Sequence, residues 1–406
     1  LKKKEHFAFK FFPLQAKRKS NIIIPVTVVL LILGLVIALL AIDLLGNVTS
    51  NEPEMFVGVD VGFGDENDVY KVADAVQGYA NLIIIGSLTV TSDTAKLTRV
   101  CDYLYQRGFS FIVYVGFAGG GLWPPYGPNS TFFKGNRERW GDKLLGAYMF
   151  DEPAGKQIDN RPVVPNADNN TDAATHYILG IANYLSLYKG DAYYGARWLK
   201  LYTSDYALYW YDYLSGYDVV LGEFVSNNSK QLSIALTRGA ANTLGNDWGT
   251  MITWKYDKPP YLEEPDQLYS DMVLAYENGA KYIVVFNSPD SNPPITSLGI
   301  LEPEHLDAMK NFWNYAKANP RTEKNTVETA YVLPGDFGYG FRGPNDTIWG
   351  LWPANATSQK VLNDANTLLE TYGMKLDIVY ENTTGIVQAV LPYSKLIFWN
   401  GTTITR

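Results

Sequence analysis

The stretch Leu144-Leu145-Gly146-Ala147-Tyr148-Met149-Phe150-Asp151-Glu152-Pro153 decides how this chain is read. Seven residues without a charge are followed at once by two carboxylates and a proline. A short unbroken apolar run is the pattern of a strand buried on both faces, as in parallel sheets. Pro153 cannot donate to a strand ladder, so the chain must turn away there. The carboxylates therefore sit at the mouth of a core rather than inside it. In a closed parallel barrel, that mouth is the rim where reactive side chains collect.

Working outward, similar runs recur on both sides. The predicted strands are Met55–Val61, Leu82–Gly86, Phe109–Gly116, Leu145–Phe150, Leu199–Ser204, Tyr217–Gly222, Gly249–Trp254 and Tyr282–Asn287. Between them, helical periodicity covers Val69–Tyr79, Thr94–Arg107, Ala173–Tyr188, Lys230–Leu244 and Gln267–Asn278, and Glu302–Ala318 follows the last strand. Gly108, Gly216, Gly245 and Gly279 stand where helices close, positions that favour a left-handed cap. Alternation at this spacing means parallel strands with right-handed crossovers, and eight units predict a (β/α)8 barrel over residues 52–320. The first strand opens no glycine-rich fingerprint, which counts against an open nucleotide-binding sheet. After a charged linker, Thr329–Leu333, Ser358–Tyr372, Leu376–Tyr380 and Lys395–Trp399 read as strand, helix, strand and strand. They predict a small α/β unit over 328–406 that leans on the barrel, since so short a unit buries little surface alone. Its simplest role is a structural lid or assembly surface.

Composition narrows the classes. A chain of 406 residues with 47% hydrophobic and 19% charged residues is globular with a sizeable core. The net charge is −8 and no basic stripe lies beyond the N-terminus, so a nucleic-acid partner is not expected. Aromatics reach 14%, with 29 Tyr and 10 Trp. Most aromatics fill cores, and a surplus suits a surface that contacts sugars or proteins.

Ile22 to Ile42 is apolar enough to span a bilayer, and Lys17-Arg18-Lys19 precede it. The positive-inside rule then predicts a cytoplasmic basic tail over 1–20, a transmembrane helix over 21–43, and everything later facing outward. A cleaved signal peptide is the alternative; the apolar core is long for one, and no A-x-A-like site follows. Asn47, Asn129, Asn169, Asn227, Asn345, Asn355, Asn382 and Asn400 each open an N-x-Ser/Thr sequon, and all lie beyond the span, as a glycosylated exterior requires. The single cysteine, Cys101, falls in a predicted helix and reads as an inert core thiol. An exported chain without disulfides points to an archaeal or bacterial envelope.

The predicted strand ends carry acids: Asp60, Asp151 with Glu152, Asp205, and Glu223. Strand seven ends in Trp254-Lys255-Tyr256-Asp257, and strand eight in Asn287 followed by Asp290. Helix capping is the plainer role for Asp205 and Asp257. Glu152 and Glu223 each follow an apolar run directly, and capping explains them less well. Only His6, His176 and His305 exist, which removes Ser-His-Asp hydrolysis and histidine-rich zinc sites. No nucleophile elbow or phosphate loop is present, and Gly119-Gly120-Gly121 lacks a following lysine and helix start. No metal or other cofactor is expected. Paired carboxylates without histidine are the working parts of glycoside hydrolysis, one held protonated and one ionised. Glu152, beside the charge of Asp151, is the expected acid, and Glu223 the nucleophile or base, with Asp151, Asp60 and Asp205 in support. Trp254, Tyr256, Trp123 and Tyr148 are candidate stacking platforms for a sugar, and Lys255 or Arg197 could hold a charged or hydroxyl group.

Gly146-Ala147-Tyr148-Met149-Phe150-Asp151-Glu152-Pro153 resembles the fourth-strand end of the large (β/α)8 glycoside hydrolase clan, where a Glu before Pro is the acid/base. The barrel with an appended α/β unit is also similar to the architecture of some barrel β-galactosidases. The resemblance spans about 270 residues by pattern and rests on this one motif. It implies a carbohydrate substrate and the acid/base role for Glu152. Two positions depart from it: Asp151 stands where the clan typically has Asn, and strand seven offers no acid where the clan's nucleophile usually lies. Glu223 is therefore a nucleophile assigned on physical grounds, not by the resemblance. Two functions follow as expectations: a membrane-anchored, outward-facing glycosidase, or a non-catalytic glycan-binding or envelope protein on a degenerate barrel. A homo-oligomer or surface assembly is compatible with either.

Overall fold

The computed structural model describes residues 55–117, 125–159, 163–189, 198–225, 228–289, 296–321, 327–381 and 393–406. The expected tail, membrane span and Asn47 lie outside these residues. Among the described residues no helix is long and apolar enough to cross a membrane.

Eight strands close a barrel: β1 Phe56–Val61, β2 Leu82–Ile85, β3 Ser110–Phe117, β4 Leu144–Met149, β5 Lys200–Asp205, β6 Val219–Phe224, β7 Asp247–Ile252 and β8 Tyr282–Asn287. Each pairs in parallel with the next, and β8 returns to β1 through a register running from Phe56 opposite Tyr282 to Val61 opposite Asn287. The principal crossover helices are α1 Glu66–Val76, α2 Thr94–Gln106, α3 Ser130–Trp140, α4 Asn170–Lys189, α5 Tyr209–Ser215, α6 Lys230–Leu244, α7 Pro265–Glu277 and α8 Pro303–Ala318. The predicted strands agree with these to within two residues at either end. Gly108, Gly216, Gly245 and Gly279 all take positive φ.

Two helices carry little sequence signal. Helix α3 is interrupted by Gly135 and is polar over most of its length, and α5 (Tyr-Trp-Tyr-Asp-Tyr-Leu-Ser) is so uniformly aromatic that it shows no period. In α5 six of the seven side chains are buried, so the absence of an amphipathic stripe reflects burial all round.

Strand pleating sorts the core into two parts. Phe56, Leu82, Ile84, Ile112, Tyr148, Tyr202, Val219, Leu221, Met251, Tyr282 and Val284 pack together inside the barrel. Val57, Val59, Ile83, Ile85, Val113 and Val220 belong to the larger layer between barrel and helices, where the Cys101 thiol is also buried. The same alternation, continued up each strand, brings Asp60, Tyr114, Ser204, Glu223 and Phe286 to the top of the lumen. Asp205 has the opposite parity and faces the helical layer.

A second sheet follows in the order β10-β9-β11-β12, with β9 Thr329–Leu333, β10 Leu376–Tyr380, β11 Lys395–Phe398 and β12 Thr403–Thr405. Its first three strands are parallel and β12, a strand the sequence pattern missed, is antiparallel. Helix α9, Ala356–Tyr372, connects β9 to β10. Barrel and second sheet belong to one compact unit, Glu54–Arg406. The junction is polar and buried. Arg238 on α6 donates Nε to Asp377 Oδ1 at 2.7 Å and Nη2 to the carbonyls of Met374 and Leu376 at 2.8 and 3.0 Å. Tyr393 and Asn242 donate to the other oxygen of Asp377, at 2.9 and 3.0 Å. Next to Arg238, Gly239 lets the β10 backbone approach so closely that a Cβ there would lie 2.5 Å from the Ile378 carbonyl oxygen.

Candidate active site

The rim of β4 is a sharp corner. Phe150 and Glu152 both adopt left-handed backbone conformations, φ 57° and 52°, on either side of Asp151. Non-glycine residues pay for such angles and hold them only where neighbours enforce them. Here four hydrogen bonds do so. The Glu152 amide donates to the Ser204 carbonyl at 3.1 Å, and Thr203 Oγ1 donates to the Phe150 carbonyl at 3.0 Å. Pro153 then opens a short helix, Pro153–Ile158, whose first free amides, Ala154 and Gly155, donate to Asp205 at 2.7 and 2.8 Å.

Asp205 also accepts from the amides of Tyr206 and Ala207, at 2.8 and 3.1 Å. It is fully buried. Burial pushes its carboxyl up to about 8, opposed by the backbone amides and reinforced by the charge of Glu152. Its parity and four amide partners make it a clamp on the Glu152 corner rather than a group facing the lumen.

Glu152 and Glu223 line one cavity of about 370 Å³ at the C-terminal mouth of the barrel, together with Asp151, Ser204, Met251, Thr253, Trp254 and Phe286. Burial, then the neighbouring Asp151 charge, raises Glu152 to about 7, against the opposing pull of Lys156. Lys156 Nζ lies 3.6 Å from Glu152 Oε2 and 3.2 Å from Asp151 Oδ2. Glu223 is 4% exposed. Burial, followed by the charges of Glu152 and Asp151, holds its carboxyl well above the usual range, partly offset by a hydrogen bond from Ser204.

Three short contacts join Asp151 to Glu223. Tyr148 Oη lies 2.5 Å from Asp151 Oδ1 and 2.6 Å from Ser204 Oγ, and Ser204 Oγ lies 2.6 Å from Glu223 Oε1. Asp60 is buried above Gly86, where a Cβ would lie 2.2 Å from its Oδ1. That oxygen has no hydrogen-bond partner, and burial together with the Asp151 charge raises the carboxyl well above its ordinary value.

The expected sugar-contacting residues fare differently. Trp254 forms part of the cavity wall, braced by a ring contact with Tyr261 at 4.8 Å and by Nε1 donating to the Ser288 carbonyl at 3.0 Å. Tyr148 does not offer a stacking face: its ring is 2% exposed inside the barrel, and it reaches the site through its hydroxyl. Tyr256 is 45% exposed and Lys255 pairs with Glu263 at 3.3 Å, both off the cavity wall. Strand β7 ends two residues before Trp254, and the loop that follows swings these two side chains away. Trp123, Arg197 and the sequons Asn227 and Asn382 lie outside the described residues. Asn129, Asn169, Asn345, Asn355 and Asn400 are exposed. The reading missed Ser204 and Lys156. Ser204 follows from period two counted on from Tyr202, and Lys156 from its i+4 spacing to Glu152 in a helix opened by proline. Of the described histidines, His176 is exposed and His305 is buried against the Glu263 carbonyl, neither in the cavity. Among the described residues no cluster of three or more acidic, histidine or cysteine ligands could hold a metal ion.

No family model and no curated protein matches this chain. Solved structures do match by fold. A β-galactosidase from the Antarctic haloarchaeon Halorubrum lacusprofundi is similar at a TM-score of 0.53 and 9% identity, over 85% of this chain and 69% of that one. A GH5_18 protein from Streptomyces cattleya, solved with GlcNAc, is similar at a TM-score of 0.51 and 10% identity, over 86% of this chain and 99% of that one. The fold and its rim thus define a (β/α)8 barrel of the architecture found in glycoside hydrolases. At such low identity the likeness concerns the fold alone.

Proposed function

We propose that this protein is a glycosidase acting on an oligo- or polysaccharide, with Glu152 as general acid and Glu223 as nucleophile or base. The observation that carries this reading is the convergence of two carboxyl groups on one hollow beside an indole wall. Both are held above the ordinary carboxylate range, and Glu152, raised to about 7, can keep a proton near neutrality, as the acid step of glycoside cleavage demands. A volume of about 370 Å³ lies toward the lower end of small-molecule sites, which span roughly 300–1,000 Å³, and suits a short stretch of sugar. In the same proposal residues 21–43 tether the chain to a membrane and the barrel faces outward. The exposed sequons support that placement.

A second reading, a glycan-binding scaffold without catalysis, draws support from β7, which ends without a carboxylate at the cavity. Release of sugars from a panel of oligosaccharides separates the two. The full chain should cleave at least one member, and Glu152→Gln and Glu223→Gln should each lose about 10²–10⁴-fold. Equal release by all three proteins would discard the assignment, and retained binding without release would favour the scaffold.

A further inference from the structure

We propose that Asp151 and Glu223 share a single proton through Tyr148 and Ser204, and that this chain switches which of the two carboxyls is charged. The number of hydrogens available to these contacts is limiting. Three oxygen–oxygen contacts of 2.5, 2.6 and 2.6 Å each need a hydrogen between their atoms. Tyr148 and Ser204 supply one hydroxyl hydrogen each, and ionised carboxylates supply none. If Tyr148 donates to Asp151 and Ser204 donates to Glu223, nothing lies between the two hydroxyls. The contact set closes only when one carboxyl brings a third hydrogen. With Glu223 protonated, the order is Glu223 to Ser204 to Tyr148 to Asp151. With Asp151 protonated, every donor reverses.

Surroundings choose the resting order. Glu223 is 4% exposed, while the Asp151 side chain is 39% exposed and faces Lys156 Nζ at 3.2 Å. Other groups facing the pair are Glu152, Asp205 and Tyr209 around Glu223, and Asp60 and Tyr114 around Asp151. The only cation among these is Lys156, on the Asp151 side. The proton therefore rests on Glu223. Passing it along moves three hydrogens by one contact each: Glu223 Oε1 loses one, Asp151 Oδ1 gains one, both hydroxyls are regenerated, and the net charge of these four side chains stays at −1. The catalytic consequence rests on the glycosidase reading: a buried Glu223 could become nucleophilic without a water molecule to take its proton. The proton count itself does not rest on that reading.

The test is infrared spectroscopy of the purified full chain across a pH series, with Glu223→Gln assigning the carboxylic-acid carbonyl band. A protonated Glu223 band is expected at neutral pH. Tyr148→Phe removes the competing hydroxyl, leaving Ser204 free to donate to an ionised Glu223, so the band should titrate at lower pH by about one pH unit or more. Ser204→Ala leaves an ionised Glu223 without a hydroxyl donor and should move the titration upward. Opposite signs distinguish proton sharing from loss of packing, which would disturb both alike. A Glu223 already ionised at neutral pH, or a Tyr148→Phe titration unmoved or raised, would overturn the proposal whether or not the protein cleaves sugars.

Discussion

The amide of Glu152 donates to the carbonyl of Ser204 at 3.1 Å, and the side chain of that same serine touches Glu223. One residue of β5 thus fixes the spacing between the two carboxyls assigned to the reaction. Changes at 204 should be felt at both, although neither glutamate is altered.

Glu152 must be protonated to act as the acid, and burial with the adjacent Asp151 charge raises it to about 7. Turnover should then decline as pH rises through about 7, on the alkaline limb of the rate profile. Stability follows the same sign. An elevated carboxyl costs the fold nothing below its ordinary value of 4.5, and the penalty grows until pH passes about 7. Thermal melts of Glu152→Gln and the parent should coincide near pH 4 and diverge above pH 7, with the glutamine variant the more stable. Parallel melting curves across that range would refute the assignment.

The left-handed corner gives a second expectation. At φ 52° a side chain at 152 carries backbone strain that glycine does not. Glu152→Gly should abolish cleavage and raise stability by about 1 kcal/mol in chemical denaturation. A loss of stability would show that the corner is not strained.

Trp254 is assigned to binding rather than chemistry. Trp254→Phe should leave kcat nearly unchanged and raise KM modestly, and Trp254→Ala should raise KM about tenfold, equivalent to about 1.4 kcal/mol. A fall in kcat with KM unchanged would place the indole in the transition state instead.

The barrel was legible because its strands are apolar on both faces, which leaves eight runs that no surface element would show. Helices α3 and α5 were not, since a glycine interrupts one and burial on every side erases the period of the other. Glu152 and Glu223 could be named from a simple signal, acids ending apolar runs. Tyr148 misled, because composition says nothing of whether an aromatic presents its face or its hydroxyl. Asp205 shows the limit of the acid count most clearly: one position from Ser204, it points to the opposite side of the sheet and clamps a helix. Pleat parity would have separated the two.

At the junction between barrel and second sheet, Arg238 and Asp377 are 3% and 0% exposed in their side chains. Arg238→Ala would leave a carboxylate buried without its main counter-charge, at a cost of about 3–5 kcal/mol. The melting temperature should drop by several degrees, with Asp377→Ala similar, and the double variant should cost less than the sum of the two. Additive losses would mean the pair is not coupled.

The bare α-carbon at Gly239 sets a condition on transplanting either portion. With no room for even a methyl group between α6 and the Ile378 carbonyl, the cylinder accepts its annex only through a bare backbone at this point. Grafting this annex onto another cylinder would therefore demand a matching arginine–glycine pair on the host helix.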